Sequence, residues 1–149
     1  MTIIDILPTR ARLSRMGITT TVSCVLCTDS NESRSHLFDN CSTATSLWKA
    51  ILTLNHLSKL HMSWDEMLSW ASSSWKGKSL LTSILKIAWC SFIYTIWEER
   101  NRRIFQGRAR TIEELLSSIK DIVGAQLSNR DLNRMDHVNS LLCNNWGIG

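Results

Sequence analysis

The sequence predicts a mainly α protein in which a small cysteine- and histidine-bearing module is followed by a bundle of about four helices. Three observations predict it. One proline and six glycines in 149 residues are too few turn formers for an all-β fold. Apolar residues recur at three- and four-residue spacing through most of the chain after residue 42. Between residues 24 and 41, three of the five cysteines and one of the four histidines crowd into eighteen positions. With 44% hydrophobic and 20% charged residues, the chain has ordinary globular composition and can bury one core.

Residues 1–20 form an N-terminal segment. Its apolar start is weakly strand-like, and Thr9 to Met16 suits one or two helical turns ahead of Gly17. Residues 24–41 follow as the Cys/His module. Ala44, Leu47, Trp48, Ile51 and Leu52 share one helical face, so residues 43–54 should form a helix that grows directly from Cys41. His56 and His61 fall in the next loop and are read as solvated. Ser63 to Glu66 has the form of a capping box, opening a helix with Trp64, Met67, Leu68 and Ala71 on its apolar face. The polar stretch SSSWKGKS closes that helix.

The strongest helix starts near Ser79 and carries Leu80, Leu81, Ile84, Leu85, Ala88, Trp89, Phe92, Ile96 and Trp97 towards Phe105, with Gly107 as its end. Its apolar run IAWCSFIYTIW, residues 87–97, is too short for a bilayer, which needs about 20 residues, and it is expected to be a core helix with Cys90 buried in it. A second capping box, Thr111 to Glu114, opens a helix over residues 106–128 with Ile112, Leu115, Leu116, Ile119, Ile122 and Val123 on one face. Periodicity then fades, and residues 129–149 are expected to be a loose tail. The seven tryptophans lie mainly on these apolar faces and are read as core rather than as a base-stacking platform.

Cys24, Cys27, His36 and Cys41 read C-x2-C-x8-H-x4-C, one complete set of four soft ligands. Zinc accepts thiolate and imidazole in a tetrahedron, and a site with all four positions filled by protein is structural rather than catalytic. A disulfide would leave one of these cysteines unpaired and the histidine unused. A cluster of buried thiols without metal is the competing reading. The start of the chain lacks the order of a secretory signal, so an intracellular, reduced setting is expected, nucleus and cytoplasm being equally open.

Net charge is +4, and the excess lies after residue 41: four basic and four acidic groups precede it, thirteen and nine follow. Such a balance permits phosphate contact without requiring it. Arg100, Arg102, Arg103, Arg108 and Arg110 cluster at the end of the long helix and in the turn beyond. Favourable interaction with the helix dipole and pairing with Glu98 or Glu99 account for them structurally; phosphate binding, joined by Arg10, Arg12 and Arg15, is the functional alternative. No catalytic residues are expected. The sequence has no glycine-rich phosphate loop, nucleophile elbow or second ligand set.

The segments LPTRARLSRMGI, CVLC, NESRSHLFDNCSTATSLW and ILKIAWCSFIYTIWEERNRRIF, in that order, resemble the zinc-binding domain found C-terminal to the reverse transcriptase in plant LINE-type (non-LTR) retrotransposons. Thr9 and Arg10, the two cysteines of the C-x2-C pair, Glu32, His36-Leu37-Phe38, Cys41 and Trp48 carry the pattern. The resemblance spans residues 7–105 and makes residues 21–105 the domain. It implies one structural Zn2+ and a module assisting the binding of element RNA or target DNA, largely without sequence preference. It also implies a fragment of an RNA-directed DNA polymerase polyprotein whose reverse transcriptase domain is missing, with no membrane and no small-molecule substrate among its partners. The alternatives are a protein-interaction or structural helical module, or a relic of a retroelement.

Overall fold

The structure of the chain, a computed structural model, describes residues 8–18, 21–57, 64–76, 79–127 and 137–148. Among the described residues the fold is mainly helical and holds no strand, only an isolated antiparallel bridge between Ser23 and Asn31. The helices are α1 (Arg10–Arg15), α2 (Ser42–Leu54), α3 (Trp64–Ser74), α4 (Leu80–Gln106), α5 (Ile112–Leu127) and α6 (His137–Trp146), with a π-helical segment at His36–Asn40. The strand-like start, Ser63 of the first capping box and His61 lie outside the described residues.

Local chemistry explains most boundaries. Thr9 caps α1, its Oγ1 accepting from the Arg12 N–H at 3.3 Å. Ser79 caps α4 by accepting from the Thr82 N–H at 3.1 Å, and Gly107 ends that helix in the left-handed region at φ 64°, where a Cβ would be strained. Thr111 accepts from the Glu114 N–H at 3.2 Å, so the second capping box opens α5 where expected.

α4 is about 40 Å long at 1.5 Å per residue and is the axis of the fold. By length and composition it is apolar enough to cross a membrane, yet 56% of its apolar window is buried inside the protein. Ile84, Leu85, Ala88, Trp89, Phe92 and Ile96 face the other helices. One core runs from Cys24 to Trp146 through α2, α4 and α5. Its centre is aromatic: Trp48 meets Trp89 edge-on at 5.2 Å, Phe92 lies 5.3 Å from Trp48, and Trp75 joins Trp89 at 6.2 Å and Trp70 at 5.3 Å. The described tryptophan side chains are thus buried or half-buried, as core residues.

Two expectations are corrected. Cys90 is exposed: on α4 it falls beside Lys86 and Tyr94, one turn away in either direction and also exposed, so an apolar neighbourhood in sequence is not one in space. The C-terminal stretch is not a loose tail through residues 137–148, because α6 docks on the bundle. Trp146 is 1% exposed; its indole N–H donates to Asn55 Oδ1 at 3.0 Å, and Asn145 Nδ2 donates to the carbonyl of Leu54 at 2.9 Å. The helix end of α2 thereby supplies acceptors that no periodicity in the tail could announce.

Candidate metal centre

Each ligand is placed by a distinct local device. A turn carries the chain through Val25 and Leu26, closed by the Thr28 N–H donating to the Cys24 carbonyl at 2.8 Å, and Thr28 takes φ 62° to reverse direction. The returning strand of backbone is fastened by the Cys24 N–H to Ser30 O at 2.8 Å and the Glu32 N–H to Val22 O at 2.7 Å. The polar span between the ligand pairs is therefore a short hairpin. The His36–Asn40 segment then carries the second pair: the Cys41 N–H donates to the His36 carbonyl at 2.7 Å, an i to i+5 bond. The wider π turn brings residues five apart to one side, which is why H-x4-C delivers both side chains to the same point. Cys41 is also the N-cap residue of α2.

The Sγ atoms of Cys24, Cys27 and Cys41 and a ring nitrogen of His36 all lie within 4.8 Å of one another. Cys24 Sγ is 3.9 Å from Cys41 Sγ, close to the ~3.8 Å edge of a tetrahedron with Zn–S bonds of about 2.3 Å. Cys27 Sγ lies 3.1 Å from His36 Nε2, so that nitrogen faces the centre. Cys24 and Cys41 are fully buried and His36 is 9% exposed.

The sulfurs conflict electrostatically. The Cys24 thiol is pushed far up, first by its hydrogen bond to Cys41 and then by burial. Cys41 is held below the usual thiol value by accepting that bond, against burial, helped by the amides of Ala44 and Thr43 at the start of α2. Two buried sulfurs this close cannot both ionise without a cation; a divalent soft metal would remove the conflict by taking both as thiolates. Three sulfurs and one imidazole in a closed set fit zinc.

A helical protein with a closed Cys3His centre belongs to the class of structural zinc proteins. Residues 1–48 match the family model for zinc-binding in reverse transcriptase, and the Cys24, Cys27, His36 and Cys41 cluster within them fits one structural Zn2+. Neither a curated protein nor a solved structure matches the chain. The family match ends at Trp48, and the helices beyond α2's first half lie outside it.

The arginines are dispersed among different roles. Arg100 is 4% exposed and sits in the interior, its Nε donating to Glu32 Oε1 at 3.2 Å and Oε2 at 3.1 Å and its Nη2 to Glu32 Oε1 at 2.9 Å. It offers a phosphate no surface. Arg103 and Arg110 converge on buried Glu99, through Arg103 Nε at 2.8 Å and Arg110 Nε at 2.9 Å. Arg103 also donates to the Leu26 carbonyl in the metal loop at 3.3 Å. Arg102 pairs with Glu98 at 3.2 Å, one turn back. Arg108 is exposed and makes no ion pair among the described residues. On α1, Arg10 Nη1 donates to the Ser23 carbonyl at 2.8 Å; Arg12 is half-buried and Arg15 exposed. His56 is exposed, with Asn145 Nδ2 3.2 Å from its Nε2.

Glu32 is the residue whose role the sequence concealed. It was legible as part of the family pattern, but its partner lies 68 positions away, where no periodicity or spacing points.

Proposed function

We propose that the chain is a non-catalytic zinc module of a reverse-transcribing, retrotransposon-derived element that binds RNA or DNA through phosphate contacts. The observation that carries this reading is the match of residues 1–48 to a zinc-binding domain of reverse transcriptases. α1, with three arginines in six residues and no acidic residue in its first turn, adds positive charge close to the metal loop. The geometry favours Arg15 and Arg108, both exposed, over Arg100, which is committed inside. With the contacts confined to phosphates, binding tolerates sequence.

Retention of the zinc-loaded protein on RNA and on duplex DNA across a salt series tests this. Affinity should fall linearly in log salt, and Arg15→Ala with Arg108→Ala should flatten that slope. Salt-independent retention, or none, removes the reading. A second reading, docking onto a partner protein, draws on four exposed apolar side chains, Met16, Ile18, Tyr94 and Phe105, the last 78% exposed. That mode would be insensitive to salt.

A further inference from the structure

We propose that Glu32 and Arg100 form a positioning clamp that sets the metal affinity of the Cys3His centre from the far end of α4, making zinc binding and the order of that helix end mutually dependent. Glu32 lies inside the metal loop, between the C-x2-C pair and His36, and is fully buried. Its carboxylate takes three hydrogen bonds from Arg100 and one from the Arg10 backbone N–H at 2.8 Å. Its backbone holds both neighbours as well, the N–H donating to Val22 O at 2.7 Å and the carbonyl accepting from the Ala11 N–H at 2.9 Å. One residue thus joins the returning arm of the hairpin, α1 and α4.

Arg100 is equally committed. Besides Glu32 it reaches the Pro8 carbonyl at 3.2 Å and Asn101 Oδ1 at 2.8 Å, and its guanidinium lies 4.6 Å from the centre of the Trp97 ring. Neither charge has solvent to turn to, so each is tolerable only while the other is in place. The hairpin that holds Glu32 is the one whose shape the metal fixes. Loss of the metal releases Glu32 and leaves Arg100 buried beside an apolar ring without its carboxylate; loss of Arg100 frees the hairpin and splays the ligands. Arg103, bonded to the Leu26 carbonyl between the first two ligands, supplies a second strut from the same helix end. Linkage requires the two effects to be equal in free energy.

The test is competition for zinc between the protein and a chromogenic chelator, with Co2+ substitution reporting the ligand set. Glu32→Gln and Arg100→Met should each lower zinc affinity about 10- to 100-fold, the range for groups that orient metal ligands, while the Co2+ spectrum keeps its three-thiolate character. Trp146→Ala, which loosens α6 instead, should leave zinc affinity within twofold. The native chain gives an independent measurement: amides of residues 99–106 should exchange faster after zinc is removed, and amides of residues 115–123 should not. Affinities within twofold of wild type for the Glu32 and Arg100 variants would overturn the clamp. So would an equal loss in Trp146→Ala, or unchanged exchange at the end of α4.

Discussion

The Glu32 carboxylate and the Arg100 guanidinium meet at 2.9 Å with side-chain exposures of 0% and 5%, joining the metal loop to the last third of the longest helix. A charge pair so enclosed is costly to break from one side, because the survivor cannot reach water. Arg100→Ala should therefore destabilise the fold by about 3–5 kcal/mol. Arg108→Ala, at an exposed position without an ion pair among the described residues, should stay within ~0.5 kcal/mol. Urea unfolding followed by tryptophan fluorescence measures both; equal effects would mean that the pair contributes no more than a surface contact.

Metal analysis of carefully reduced protein should find one zinc per chain. Cys24→Ser removes a fully buried ligand and should abolish tight binding. Cys90→Ser, on the solvent side of α4, should leave stoichiometry and stability unchanged. Retention of one zinc by the Cys24 variant with the same Co2+ spectrum would exclude Cys24 as a ligand.

Acid should loosen the junction of α4 and α5 through Glu99. Burial works to raise this carboxyl, but the Arg110 backbone N–H and the guanidinium groups of Arg103 and Arg110 outweigh it, and the group is held below its ordinary 4.5. A lowered native value means that its stabilisation is complete above the unfolded value and is lost as pH falls from there through the native value. Glu98 and Arg102 stand beside the same network. Thermal unfolding between pH 7 and pH 3 should show an acid limb that is shallower in Glu99→Gln. An identical limb would place the acid sensitivity elsewhere.

Trp146→Phe keeps the ring in the core but loses the indole N–H, leaving Asn55 Oδ1 without that donor in a residue 4% exposed. The cost should be about 1–3 kcal/mol, the range for one buried polar group left unsatisfied. Protease resistance of residues 137–148 should fall with it. A variant as resistant as wild type would show that α6 is held by apolar contact alone.

What the sequence determined by itself was whatever is local. The candidate ligand set is legible in the spacing, since C-x2-C fits a tight turn and the polar span after it can return the chain; the π turn that brings His36 and Cys41 together is seen only in the fold. The caps at Thr9, Ser79 and Thr111 and the stop at Gly107 follow from side chains that satisfy nearby backbone, or from a missing Cβ. The apolar faces of α2, α4 and α5 follow from periodicity maintained over three or more turns. Tertiary structure alone decided which of two arginines with the same sequence neighbourhood is interior. Arg100 and Arg102 are two positions apart on one helix, some 200° of rotation at about 100° per residue, so one turns to Glu32 and the other to Glu98 and solvent. It also decided that Cys90 faces outward and that the weakly patterned end of the chain forms α6. For Arg100 and for α6 the deciding partners, Glu32 and Asn55, are remote in sequence. Burial and ion pairing depend on what the fold brings opposite a residue, and the residues beside it in the chain do not carry that information.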